Sequence, residues 1–307
     1  MHTILGANGT IARDMAKELS VYSNPIRLVS RNPKKINETD ELFAADLSDH
    51  QKVEKAIAGS SVVYLLVGFD YNLKVWQEKW PKLMRAVLDA CIKHKARLVF
   101  FDNVYLYDRE AIPHMTETSD VDPPSEKGKV RARIVRMMME EIKNGNLTGI
   151  IARSADFYGP KNEKSFLIEV VFKNYKKRKA ANWFGNLERK HSFTYTPDAA
   201  KATAILGNAP GEDWNQVWHM PTDPNSLTGR EWATLFSNEM GVKNRISILP
   251  TWFIRVLGIF IPFMKEMPEM MYQYEQDYFF DSSKFTNRFG LKATPYQLGV
   301  QKIVSEG

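Results

Sequence analysis

The sequence predicts an α/β protein: a doubly wound parallel sheet, followed by a smaller, mainly helical C-terminal domain. Three observations carry this. Short β-rich runs alternate with helical patterns through the first half of the 307 residues. The run SSVVYLLV is apolar without interruption, as a strand covered on both faces requires. Glycines stand at Gly6 and Gly9, between the first strand and the first helix. Strand and helix alternating at this spacing form βαβ units, which place helices on both sides of a parallel sheet.

Taken in order, HTIL is the first strand and a helix begins near Thr10. IRLVS is the second strand, ELFAADL contains the third and SSVVYLLV the fourth. The long helical pattern NLKVWQEKWPKLMRAVLDACIKH leads to the strand ARLVFF. A helix entered through PPSEKGKVRARIVRMMMEEI precedes the strand LTGIIAR. After about Pro160 aromatics and prolines increase, and the strand candidates QVWHM and RISIL stand alone. The domains are therefore read as 1–160 and 161–307, with 191–222 returning to the first. Repeats and low-complexity linkers are absent.

Composition narrows the class. The chain is 44% hydrophobic and 25% charged, with a formal net charge of +6. The cations are dispersed, which argues against nucleic acid and suits a small anionic ligand. Cys91 is the single cysteine, so no intrachain disulfide forms and a reducing, cytoplasmic compartment is expected. It sits in an apolar helical pattern and reads as core. The chain start carries no charged leader, so no signal peptide is expected. The apolar stretch 251–264 is too short to span a bilayer and contains Arg255, so it reads as a buried or interfacial helix and no membrane partner is expected. The six histidines show no ligand spacing, and no metal site is predicted.

The clearest motif is TILGANGTIA. Gly6, Gly9 and Ala12 stand at G-x-x-G-x-x-A spacing after a strand and at the start of a helix. Gly6 permits the tight turn, Gly9 lets a pyrophosphate approach the backbone, and Ala12 allows close helix–strand packing. The motif makes the sheet Rossmann-type and assigns Gly6, Asn8, Gly9, Thr10 and Ile11 to a dinucleotide phosphate site. An acidic residue ending the second strand would hold the ribose of NAD; Arg31 stands there, with Lys34 and Lys35 behind it. A guanidinium suits a 2′-phosphate, so NADP(H) is favoured over NAD(H), which stays possible. Asp46 and Leu47 stand where they would meet adenine; alternatively Asp46 or Ser48 caps the next helix.

The segment 123–142 loads five cations onto the start of a helix: Lys127, Lys129, Arg131, Arg133 and Arg136. Helical phase divides them. Lys127 and Arg131 share the apolar stripe of Val130, Ile134, Met138 and Ile142, while the other three face water. Buried cations need partners. A cofactor, an anionic substrate, or Asp102 or Asp156 would serve.

The pieces GANGTIA, ADL, RLVFFDNVYLYD, ARSADFYGP and HSFTYTPDAAKA, in this order, resemble the extended or atypical short-chain dehydrogenases/reductases of the NAD-dependent epimerase/dehydratase-like group. The resemblance covers nearly the whole chain. It implies a two-domain architecture with the substrate cleft between the domains. The family's reaction centre is a Ser or Thr after the fifth strand and a Tyr-x-x-x-Lys on the next helix. Here Asn103 falls at the Ser/Thr position, Lys127 at the Tyr and Arg131 at the Lys. These three, with Tyr105 as a substitute phenol, are the catalytic candidates; Tyr107 reads as structural. Asn103 and Arg131 also fall among the cofactor-binding positions, as do Val67, Gly68, Ser154 and Ala155. Phe69, Tyr71, Asp156, Phe157 and Tyr158 fall at substrate positions. The implied function is an NADP(H)-dependent oxidoreductase, epimerase or dehydratase acting by hydride transfer on a small, sugar-nucleotide-like substrate. The alternative is a dinucleotide-binding redox sensor that has lost the catalytic Tyr. The long helices before and after the fifth strand suit a homodimer. The basic, aromatic run KNYKKRKAANWFGNLERKH is read as a solvated face or a holder of an anionic substrate tail.

Overall fold

The computed structural model describes residues 1–163, 165–259 and 262–306. The first part runs β1 (His2–Leu5), α1 (Thr10–Leu19), β2 (Ile26–Ser30), β3 (Glu41–Ala44), α2 (His50–Ile57), β4 (Val62–Leu65), α3 (Leu73–His94) and β5 (Arg97–Asn103). Next come α4 (Glu126–Lys143), β6 (Gly149–Ser154), β7 (Asp156–Tyr158), α5 (Lys173–Lys176), β8 (Ala181–Phe184), β9 (Lys190–His191), β10 (Phe193–Tyr195), α6 (Thr196–Gly207) and β11 (Gln216–His219). The chain continues through β12 (Leu227–Thr228), α7 (Gly229–Glu239), β13 (Ile246–Leu249), α8 (Thr251–Leu257), α9 (Pro262–Glu266), α10 (Ser283–Phe289) and α11 (Tyr296–Glu306).

The chain divides into two compact units. The first holds Met1–Asn103, Lys127–Arg153 and Ala199–Trp218; the second holds Val104–Glu126, Ser154–Asp198 and the chain from His219 onward. Of the returning segment 191–222, Ala199–Trp218 lies in the first unit.

The first unit is built on a seven-stranded parallel sheet, ordered β11-β6-β5-β4-β1-β2-β3. Strand β4 is buried along its whole length, whereas the edge strand β3 alternates half-buried and exposed. The periodicities explain the helices. In α1, Ala12, Met15, Ala16 and Leu19 are buried, the i, i+3, i+4, i+7 stripe of a helix lying on a sheet. Asn72 caps α3 by accepting from the Val75 amide, and Lys95 ends it in a left-handed conformation at φ 54°. Cys91 is fully buried, and burial pushes its thiol well above the usual range. It is a core residue.

In the second unit, aromatic side chains make the core: Tyr158, Phe193, Tyr195, Trp232, Phe236 and Tyr296 pack in one cluster. Three two-stranded sheets, β7–β10, β9–β12 and β8–β13, frame it. Thr228 and Glu231 form a capping box that starts α7. The apolar stretch 251–264 supplies α8 and the start of α9; its Phe260 and Ile261, and the side chain of Arg255, lie outside the described residues. Among the described residues no helix is long and apolar enough to cross a membrane.

Candidate functional site

The loop after β1 is shaped by Gly6. Its φ is +93°, and a Cβ there would stand 2.8 Å from the Leu66 carbonyl oxygen, so only glycine fits. The Gly6 and Ala7 amides donate to the Val29 carbonyl at 3.0 and 3.1 Å, tying the loop to β2. Gly9 is the N-cap of α1 and supplies no side-chain cap. Arg13 is the first to close a helical bond, to the Gly9 carbonyl at 3.1 Å. The amides of Thr10, Ile11 and Ala12 therefore have no partner within the helix. Asn8 donates to the Asn32 carbonyl at 3.1 Å and holds the loop against the turn that carries Arg31.

Arg31 is exposed and close enough to Asp46 to act on it. Hydrogen bonds from Ser48, then the Arg31 and Lys52 charges, hold the Asp46 carboxyl below its usual range. The cap of α2 is neither Asp46 nor Ser48. Asp49 accepts from the Gln51 and Lys52 amides at 3.0 and 3.2 Å. Leu47 is half-buried beside it. At the end of β2 the buried Ser30 hydroxyl has no hydrogen-bond partner. Open first-turn amides at a helix N-terminus, a glycine turn and an orphaned hydroxyl at the neighbouring strand end fit a dinucleotide.

The five cations of α4 divide as their phase predicts. Lys127 and Arg131 are 0% and 3% exposed, while Lys129, Arg133 and Arg136 are exposed. Arg131 donates through Nε and Nη2 to Asp102 Oδ1 at 2.9 and 2.5 Å. Arg153 donates to the other oxygen, Oδ2, at 3.0 Å. The Arg131 guanidinium also lies 4.5 Å from the Trp80 ring centre and 4.9 Å from that of Phe100. Of the partners weighed for Arg131, the structure shows Asp102, with two aromatic faces beside the guanidinium.

Lys127 points the same way one turn earlier, with Nζ 4.7 Å from the Tyr71 ring centre. Tyr71 meets Trp76 edge-on at 5.8 Å, and Phe69 meets Trp80 edge-on at 4.9 Å. The structure thus brings Phe69, Tyr71, Lys127 and Arg131 onto one aromatic cluster. Val67 is half-buried and Gly68 exposed in the loop leading to it. Asn103 is the half-buried last residue of β5.

In the second unit Tyr107 is fully buried. His219 Nδ1 donates to the Asp281 carbonyl at 2.6 Å, so its Nε2 accepts from the Tyr107 hydroxyl, also at 2.6 Å. Tyr107 is structural, as read. Asp156 is the centre of a second group. Its Oδ2 accepts from His191 Nε2 at 3.0 Å and from the Tyr274 hydroxyl at 3.2 Å. The Asp156 amide donates to the Tyr278 hydroxyl at 3.2 Å. The His191 ring is stacked between Tyr278, at 4.0 Å, and Tyr274, at 4.7 Å. Burial, then the Asp156 charge, then Tyr105 push the phenols of Tyr274 and Tyr278 well above their usual range. Tyr105 therefore belongs to this group. The Asp156 side chain is 17% exposed while His191 is 2% exposed, so the carboxylate is the face shown to solvent.

Other expected residues lie deeper. Tyr158 is a core residue, enclosed by Tyr195, Trp232 and Tyr296 with ring centres 5.2 to 5.7 Å away, which removes its phenol from the substrate positions. Ser154 and Ala155 are 0% and 1% exposed, and the Ala155 amide donates to Thr194 Oγ1 at 3.2 Å. Phe157 is half-buried. The sequence reading missed His191, Tyr274, Tyr278 and Arg153. No periodicity marks them, because β7–β10 pairing sets Phe193 opposite Asp156 and brings His191 within reach.

Comparisons with known proteins agree with this architecture. A UDP-glucose 4-epimerase from Thermus thermophilus, solved with NAD, matches 100% of this chain and 98% of its own at 16% identity and a TM-score of 0.78. A dTDP-glucose 4,6-dehydratase from Streptomyces venezuelae matches 100% and 96% at 14% identity and 0.80. A UDP-glucose 4-epimerase from Thermotoga maritima, solved with UDP-glucose, matches 100% and 98% at 14% identity and 0.80. At these identities the likeness is one of fold. No curated protein matches the sequence. The profile of the NAD dependent epimerase/dehydratase family matches residues 2–216, well over half of the sequence, and the chain belongs to that family.

Proposed function

We propose that the protein is a nicotinamide-dinucleotide oxidoreductase of epimerase or dehydratase type, with NADP(H) preferred, acting on a small carbonyl or carbinol compound such as a sugar or sugar nucleotide. The observation that carries this is the Gly6 turn feeding the uncapped N-terminus of α1, with Arg31 on the adjoining loop. The amides of Thr10, Ile11 and Ala12 bind the pyrophosphate. Arg31 takes the 2′-phosphate, and Leu47 packs near adenine. When bound, the dinucleotide supplies or accepts the hydride.

The chain's own residues do the rest. Lys127, buried over Tyr71, is a fixed cation that orients and stabilises negative charge on a reacting oxygen. Arg131 is a positioning residue: through Asp102 it fixes the helix that carries Lys127. Within the second unit, Tyr105 is the phenol proposed to exchange a proton and Asp156 the carboxylate proposed to accept a hydroxyl. Neighbouring folds act on nucleotide-linked glucose, which is the reason for naming that substrate class.

A second reading, a dinucleotide-binding regulator without turnover, draws on one observation: the guanidinium at the family's Lys position is committed to Asp102. Calorimetric titration of NADPH and NADH into the purified protein, followed by a spectrophotometric screen of carbonyl substrates, decides between them. Tighter NADPH binding that Arg31→Ala abolishes, with turnover, is the expected result. Tight binding without turnover selects the regulator. Absence of binding by either dinucleotide below millimolar concentration refutes both.

A further inference from the structure

A basic run follows α5 in the second unit. Lys177, Arg178 and Lys179 precede β8; Lys243 and Arg245 precede β13. These strands pair in parallel, Ala181 opposite Ile246, so two segments distant in sequence meet at the same strand ends. Between them lies a pocket of about 230 Å³ lined by Tyr175, Arg178, Lys179, Val242, Lys243 and Arg245. Its wall carries four cations and no carboxylate. All four are exposed, and none forms an ion pair with a described acidic residue. The Tyr175 phenol, buried and donating to Asn244 Oδ1 at 2.9 Å, is pushed up to about 12 by burial, so it stays neutral.

Arg178 is held at φ 58°, in the left-handed region that a non-glycine residue rarely adopts. Four like charges around a concave surface repel one another, and an anion relieves them. Two guanidinium forks beside two ammonium groups match the oxygens of linked phosphates better than a single carboxylate.

We propose that this pocket binds a multivalent phosphate, separate from the dinucleotide loop of the first unit. The same chemistry has two sources, a free di- or triphosphate and a phosphorylated lipid headgroup. Ile248 and Trp252, 52% and 67% exposed on β13 and α8, are the apolar neighbours in sequence that a lipid would use.

The test uses the full chain, inorganic pyrophosphate in a calorimeter, and flotation with phosphatidylcholine vesicles with and without phosphatidylinositol bisphosphate. Wild type is compared with the double variant Arg178→Ala/Arg245→Ala and with Gly9→Ala, which impairs the phosphate loop of the first unit. The expected result is that the double variant binds about tenfold or more weakly, as loss of charge-assisted hydrogen bonds implies, while Gly9→Ala keeps the binding that the double variant loses. Pocket-dependent pyrophosphate binding identifies a free phosphate. Pocket-dependent flotation on phosphorylated vesicles alone identifies the headgroup. Failure to bind either probe, equal binding by the double variant, or loss in Gly9→Ala instead would overturn the proposal. Unchanged circular dichroism and thermal midpoint of the double variant separate lost binding from lost fold.

Discussion

His191 meets Asp156 across 3.0 Å while its ring lies flat on Tyr278, 4° from parallel. The carboxylate can only accept, so the imidazole carries its proton on Nε2. Tyr274 donates to the same oxygen. Replacing Asp156 with alanine orphans two buried donors, whereas asparagine keeps an acceptor. Asp156→Ala is expected to lower unfolding free energy by about 2–3 kcal/mol and Asp156→Asn by about 1 kcal/mol, read from urea denaturation. Equal losses would mean that the oxygen is not shared as described.

The triad of Asp102, Arg131 and Arg153 makes a contrasting prediction. Asp102→Asn leaves two buried guanidiniums short of their counter-charge and is expected to cost about 3–5 kcal/mol. Arg131→Met leaves Asp102 paired with Arg153 and keeps apolar packing on Trp80, so it is expected to cost about half as much. Thermal and urea midpoints of the two variants measure the order; the reverse order would refute the shared-carboxylate account.

The two glycines of the first loop should behave differently. Gly6→Ala drives a Cβ into the Leu66 backbone and is expected to destabilise the fold by several kcal/mol. At Gly9 an added Cβ lies 3.5 Å from the Gly6 oxygen, an ordinary contact. Gly9→Ala is therefore expected to change stability by less than about 1 kcal/mol while weakening dinucleotide binding about tenfold or more. Calorimetry on the folded variant checks this, and unimpaired binding would remove the phosphate role of the loop.

His2 gives the pH dependence. Burial, then the charges of the N-terminus and Arg97, lowers its pKa from 6.5 to about 4. The unfolded chain takes up the proton more readily, so this stability is complete above pH 6.5 and is lost as pH falls toward 4. About 2 kcal/mol should disappear between pH 7 and pH 5, and His2→Leu should remove that slope. Denaturant midpoints at the two pH values, for wild type and variant, decide it.

The sheet and the dinucleotide loop were legible because their causes are local. Strand β4 announces itself by an unbroken apolar run, α1 by its stripe, and the inward turn of Lys127 and Arg131 by helical phase alone. The partners of those cations were not legible to the same degree. Asp102 was one candidate among several, and Arg153 looked like any strand residue. Which carboxylate a buried cation finds depends on strand order, here β5 beside β6. Tyr274 and Tyr278 come from irregular chain with no period to read, and they join His191 only through tertiary packing.

The pairing of β7 with β10 has a consequence for how this sequence can vary. Asp156 and His191 face each other because Phe193 stands opposite Asp156, and side chains alternate faces along a strand. Everything between Tyr158 and Lys190 is an excursion that leaves and rejoins this ladder. Residues added in its exposed turn at 177–179 leave the pair intact, whereas residues added in β8 or in the buried stretch from Leu167 to Tyr175 would disturb the aromatic core. A single residue added between His191 and Phe193 turns the imidazole to the opposite face. The tolerance of the chain to insertion thus differs sharply between the exposed turn at 177–179 and the few residues from Lys190 to Phe193.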